Sequence, residues 1–287
     1  MNTNHSKYFE LNPEEAIKKF FKKLYIVRYI AIFFLVLLLC FYLYGLFKFE
    51  DESIQSAMML ICGIVMLIVV LITFFLIHFL PYLESRQLQM VLYMDCAPVK
   101  MLDIIRLWEK KDRLGKAKNT FLLFKTQCCI YIPERLEEGL TYLQQINFRQ
   151  KLLDREAIRL LLFAQYSRKQ GDRESFDKVK TDMEQLPTLY PGNKFQKKSW
   201  EQAMRLLELE ELIWDERTEE ARTLLYTLLE KEPYQLSKVM FHMQLAQLDI
   251  EAEEYANAKQ HLEYVIAHGN QLASVSKAKE QLEAMQQ

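Results

Sequence analysis

Three histidines late in the chain, His242, His261 and His268, are the side chains best suited to acid–base or metal chemistry. His261 and His268 stand seven residues apart and can share a helix face, but no Cys or acidic residue completes a metal-like spacing with them. Cys128 and Cys129 are adjacent, which suits burial in a helix better than ligation. None of the 5 cysteines forms a C-x-x-C pair, so reduced thiols are expected rather than disulfides or zinc. There is no Gly-rich phosphate loop, no G-x-S-x-G and no H-E-x-x-H. The expectation is a protein without catalytic residues, metal or cofactor, not an enzyme, with an enzyme of unrecognised site as a distant rival.

Whatever these side chains do, helices must position them. Only 7 Gly and 7 Pro punctuate 287 residues, which disfavours architectures with many tight turns and suits long helices. The formal net charge of −1 lacks the basic excess of a nucleic-acid binder.

Two stretches are apolar on every side. Residues 29–47 carry no charge, and residues 57–80 have Thr73 and His78 as their only polar members. About 20 such residues cross a bilayer core. A soluble helix keeps a polar face, and these have none. No small-residue cleavage site follows the first stretch, which argues against a signal peptide. The short loop from Lys48 to Ser56 makes the pair a transmembrane hairpin over 29–81. Lys18, Lys19, Lys22, Lys23 and Arg28 precede the first span, whereas the loop has Lys48 beside three acids. Cationic flanks stay inside, so the N-terminus, and after two crossings the C-terminal part, are expected in the cytosol of a cell-membrane protein. Pro81 fits the end of the second span, and His78 reads as interfacial rather than as a proton relay.

Residues 1–28 have their own pattern. Asn12 can cap a helix, Pro13 suits its first position, and Glu14 and Glu15 suit the positive end of its dipole. Ile17, Phe20, Phe21 and Leu24 then share a face flanked by the four lysines. Two readings follow: a basic helix lying on the anionic inner leaflet, or an orientation signal continuous with the first span.

From Leu83 on the pattern is helical. Residues 83–94 and 99–111 belong to a connector over 82–116, and paired helices fill 117–287. Ala157 to Phe176 contains Ala164 and the turn Lys169-Gln170-Gly171-Asp172. Leu245-Ala246 is followed by Tyr255, Ala258, Leu262 and Val265; Glu220-Ala221 by Leu225, Leu228 and Pro233; and Phe121 to Tyr131 by Leu136, Leu140 and Leu143. These units resemble tetratricopeptide (TPR) repeats in their turn, small-residue and Pro placement. Their turns are spaced by about 37, 45 and 37 residues against the family's 34, with an insertion at Pro187 to Asn193 in the middle interval. The resemblance implies an all-α protein: a cytosolic α-solenoid of helix-turn-helix repeats, closed by a capping helix over Ser274 to Met285.

In that family helix-A positions line a concave surface that holds a protein or peptide. The resemblance implies Gln165, Arg168 and Lys169, then Glu210, Ile213 and Trp214, then Gln247 and Glu251. Trp214 is either the anchor for a partner or core packing between repeats. Leu161 and Leu206 stand where the family's basic clamp for a carboxylate would need a cation. The functional expectation is a membrane-anchored adaptor or scaffold, its partners a protein segment and the lipid bilayer, with no nucleic acid. The alternative is an assembly or regulatory subunit acting through its spans, where Gly45 or Cys62-Gly63 allows close helix approach.

Overall fold

The computed structural model describes residues 5–48, 52–112, 115, 117–148 and 151–285, with side chains for all of these except 45–48, 52–59, 62, 76–78 and 80. Every element among the described residues is helical: twelve α-helices and one short 3-10 turn. The chain divides into two compact units, one of Glu10–Gln89 and one of Met1–Phe9 with Met90–Gln287.

The first unit holds α1 (Pro13–Lys48) and all but the last turn of α2 (Glu52–Tyr93). Asn12 caps α1 as its type suggests. The Glu15 backbone N–H donates to Asn12 Oδ1 at 2.9 Å, and Glu15 Oε2 accepts from the Asn12 N–H at 3.2 Å. From there α1 runs unbroken for 36 residues, and its stretch Pro13–Tyr44 is long and apolar enough to cross a membrane. Its large side chains face outward: Tyr29, Phe33 and Phe41 are all more than half exposed. Ile17, Phe20 and Leu24, by contrast, are buried within the protein. The N-terminal segment is one continuous helix with the apolar stretch. Lys18, Lys19, Lys22 and Lys23 remain on the exposed side, with Lys23 paired to Glu84 of α2.

Helix α2 is also continuous. It passes through Pro81 and stops only at Tyr93, so the helix outlasts the apolar stretch and takes in residues 83–93. Within it Gly63–Phe75 is apolar. The loop residues 49–51, and the side chains of Gly45, Ser53, Cys62 and His78 on which the hairpin, close-approach and interfacial readings also bear, lie outside the described set.

The second unit contains α3 (Pro98–Glu109), α4 (Lys118–Cys129), α5 (Leu136–Gln144), α6 (Leu153–Gln170), α7 (Arg173–Leu189), α8 (Lys194–Trp214), α9 (Thr218–Lys231), α10 (Gln235–Glu251), α11 (Tyr255–His268) and α12 (Ala273–Ala284). Packing is local in sequence: α6 lies on α7 and α8, α8 on α9, α9 on α10, α10 on α11, and α12 against both α10 and α11. Each amphipathic helix thus finds its apolar partner one or two elements away.

Three of the inter-helix turns have the same backbone. Gly171, Glu216 and Glu253 take positive φ of 73°, 55° and 60°. In each, the next residue's N–H reaches back to the carbonyl five positions earlier: Asp172 to Ser167, Arg217 to Leu212 and Glu254 to Asp249, at 2.9, 3.0 and 2.7 Å. Taking the left-handed residue as origin, Ala164, Leu209 and Ala246 occupy one shared position, and Phe176, Ala221 and Ala258 another. All six are buried.

The middle interval is longer for a different reason than an inserted loop. Pro187 sits inside α7. It cannot donate to the Met183 carbonyl four residues back, and the Trp200 indole N–H of α8 donates there instead, at 3.0 Å. The helix therefore continues to Leu189, and Asn193 opens α8 with a full capping box to Gln196.

The unit's two chain ends meet at one turn. Asp95 is buried and accepts from the Ser6 backbone N–H at 2.8 Å and from the Ser6 hydroxyl. Lys100 Nζ donates to the carbonyls of Tyr8 and Phe9 at 2.7 and 2.6 Å. From the far end, Asn270 Nδ2 donates to the Asp95 carbonyl at 2.7 Å and the Gln271 N–H to the Cys96 carbonyl at 3.3 Å. Burial pushes the Cys96 thiol up to about 12 and Cys129 up to about 11. Cys40, Cys96, Cys128 and Cys129 are all free thiols.

Candidate functional site

Position within the hairpin explains which side chains converge. Counting back from the left-handed residue, Gln165, Glu210 and Gln247 are equivalent; so are Lys169, Trp214 and Glu251, and so are Arg168 and Ile213. Equivalent positions on successive packed helices face the same way. Two adjoining cavities result. The larger, about 710 Å³, is lined by Arg168, Ile213, Trp214, Gln247 and Glu251, together with Glu216 and Gln244. The smaller, about 130 Å³, takes Gln165, Arg168, Lys169 and Glu210, with Tyr131 and Gln244. Each of the eight candidates from the sequence lines one or other of these two cavities, which share Arg168 and Gln244 and are called the groove below.

The groove is divided by a buried ion pair. Glu210 Oε2 is ion-paired with Arg168 Nε, and Gln165 Nε2 donates to Glu210 Oε1 at 3.4 Å. Removing either partner would strand the other charge out of water. Beyond this pair Lys169 is solvent-exposed, yet its ammonium pKa is lowered, by burial first and then by Arg168 and Lys277. The two observations agree if Lys169 lies in a recess: reached by water but crowded by protein and by like charge. Tyr131, at the same end, is held protonated chiefly by burial.

Trp214 packs in the core and also lines the larger cavity. One side meets Phe176 edge-on with ring centroids 5.2 Å apart, the Arg173 guanidinium lies 5.4 Å from its ring, and the indole also lines the larger cavity. A Trp214→Ala change would remove core packing and groove wall together.

Gln244 and Glu216 were not singled out in the sequence. A signal existed for Gln244: the equivalent positions in the two preceding hairpins are Leu162 and Leu207, both buried. A polar residue standing where its counterparts are core leucines marks a groove.

The histidines form a second cluster. His242 Nδ1 and His261 Nδ1 are 2.8 Å apart, so one donates and the other accepts. His261 Nε2 stands 3.6 Å from Asp249 Oδ2 and 3.4 Å from the Tyr226 hydroxyl. Asp249 is buried and also faces Arg222 at 3.0 Å. The acidic neighbour missing from the linear spacing thus arrives from α10. Among the described residues no three or more His, Cys, Asp or Glu side chains are placed to hold a metal ion. Burial, with His261 and His268 nearby, lowers His242 to about 4, so the pair holds a shared proton as neutral imidazoles near pH 7.

No protein-family model, curated protein or solved structure matches this chain. The class that fold and site define is accordingly an all-helical protein with a membrane-length N-terminal helix and a polar groove.

Proposed function

We propose that the chain is a membrane-tethered adaptor: a two-span hairpin, both ends in the cytosol, and a TPR-like solenoid whose concave groove captures a protein segment. The observation that carries the reading is the groove itself, with each of the eight helix-A candidates lining one or other of two cavities that share Arg168 and Gln244. The repeated left-handed turn at Gly171, Glu216 and Glu253 supports the solenoid. A tether adds to capture by raising the local concentration of any partner in the same membrane.

The two-span topology rests on a connectivity argument. Residues 5–9 and the chain from Met90 onward belong to one compact unit, tied by Ser6 and Asp95. Both must then lie on one side of a bilayer, so the chain between them crosses an even number of times. Helix α1 supplies one crossing, and the apolar 57–80 stretch of α2 is the segment available to return. The lysines before α1 place that shared side in the cytosol.

Topology is tested by membrane-impermeant labelling of intact cells expressing Asn2→Cys, Ser53→Cys or Gln287→Cys. Only Ser53→Cys should react; reaction of Gln287→Cys would invert the arrangement. Adaptor function is tested by photo-crosslinking the full chain in native membranes with and without Gln247→Trp, which fills the larger cavity while leaving the core untouched. A crosslinked partner that is unaffected by Gln247→Trp, yet lost when α1 and α2 are exchanged for unrelated spans, would favour association through the membrane helices. The full chain is used because a cut at residue 82 would strip Ser6 and Tyr8 from buried sites.

A further inference from the structure

We infer that the groove takes a cationic segment, one carrying Lys or Arg, which enters with its charge in the larger cavity beside Glu216 and Glu251. This inference rests on the reading of the groove as a protein-binding surface and adds the chemistry of the occupant. Glu216 and Glu251 both line the larger cavity, and neither side chain has an ion pair or hydrogen bond within the described residues. The arginines around them are engaged elsewhere: Arg168 by the buried Glu210, Arg173 by Asp177 and Asp215, Arg217 by Glu220. A third acceptor points the same way. Gln244 lines both cavities, and its Oε1 is buried without a hydrogen-bond partner. A buried acceptor without a donor is costly, so the cavity offers acceptors and lacks donors. An ammonium or guanidinium supplies donors and charge together.

The opposite end sets direction. Lys169, near Arg168, Lys277 and Glu210, lies at the other end, so the basic side chain of the segment is kept to the Glu216 and Glu251 end. The cytosolic side of the membrane is also where such segments are found. The flanks of membrane proteins there carry an excess of Lys and Arg, within reach of a tethered groove. The occupant we commit to is the basic cytosolic flank of another membrane protein.

The test presents full-length protein in phosphatidylcholine nanodiscs, free of anionic lipid, to a phage-displayed library of random peptides. Groove-dependent binders are those lost with Gln247→Trp. We expect them to be enriched in Lys and Arg, to weaken as salt is raised, and to bind about fivefold more weakly to the double variant Glu216→Gln, Glu251→Gln, the scale of two partly exposed charge pairs. Glu216→Gly should also weaken them while leaving the melting temperature equal or higher, which separates loss of charge from loss of fold. Groove-dependent binders without a cationic excess, or with an acidic one, would overturn the inference and leave the groove reading standing. Cationic binders retained by the double variant would place their site elsewhere and overturn it too. Absence of any groove-dependent binder would remove the groove reading and this inference with it.

Discussion

The two compact units treat apolar side chains in opposite ways. In residues 10–89 most phenylalanines and leucines of α1 beyond residue 30 point outward, with Phe33 62% exposed, while in the later unit Phe176 is 0% exposed. Both helices are rich in apolar residues; what differs is the periodicity of the polar ones. α6 to α12 interleave charged residues at helical spacing, so each has a face to hide and a face to leave in water. Most of α1 has no such alternation, so its apolar surface exceeds what two helices can cover, and a bilayer is the medium that can take the remainder. The lesson is that apolar content decides how much surface must leave water, and its pattern decides whether protein or lipid receives it.

The sharpest way to break this contrast is to make the same truncation in both units. Phe176→Ala should destabilise the second unit by about 3–5 kcal/mol, since the ring fills the junction with Trp214 and Met183 and leaves a cavity; thermal unfolding in detergent reads this directly. A loss below about 1 kcal/mol would show that the junction is not core.

Acidity probes the buried histidine cluster of the second unit. His242 titrates near 4 in the folded protein against an ordinary 6.5, with burial the largest cause, and His261 is lowered by burial too. Between these values the unfolded chain binds a proton that the folded chain refuses. Stability is therefore full above about 6.5 and is lost as pH falls towards 4, by up to about 3 kcal/mol. Asp249, raised chiefly by burial, works in the opposite sense at the acid end of this window. Melting followed from pH 7 to the acid limit should show the slope, and His242→Phe, which keeps the stacking on Tyr264, should flatten it. A pH-independent melting temperature would place the imidazoles in water.

A smaller effect is expected where the chain ends are joined. Asp95→Ala leaves the buried Ser6 N–H without its acceptor and should cost about 1–3 kcal/mol. Limited proteolysis should then cut before Glu10 sooner than in the parent chain; unchanged cleavage would mean the tail is held without Asp95. The smallest effect belongs to the first unit. Phe33→Ala, at an outward-facing position, should alter unfolding in detergent by no more than about 0.5 kcal/mol, while weakening retention in membranes.

Much of this was legible in the residues. The helical class followed from scarce Gly and Pro, the α1 cap from Asn12, Pro13 and Glu15, and the turn at Gly171 from its type. These are local: one residue's shape or hydrogen-bonding reach sets them, and its neighbours in sequence suffice. The eight candidate residues came from the resemblance to a repeat family, and in the structure they line two cavities that share Arg168 and Gln244.

Tertiary structure decided what depends on residues far apart. No linear pattern says that Ile17, Phe20 and Leu24 are buried by protein rather than lipid, because an amphipathic face looks the same in both settings. Pro187 can stay inside a helix because Trp200, from the next helix, takes the carbonyl it leaves open. Asp249 reaches His261 from another helix, and Ser6 finds Asp95 across 89 residues of chain. Trp214 packs on Phe176 and lines the groove at once, a division of one side chain that its type alone could not settle. Backbone preference and side-chain pattern act over a turn or two of helix and are written in order along the sequence. Burial, pairing and the walls of a cavity are made by atoms that meet only when the chain has folded, and the sequence specifies them jointly rather than residue by residue.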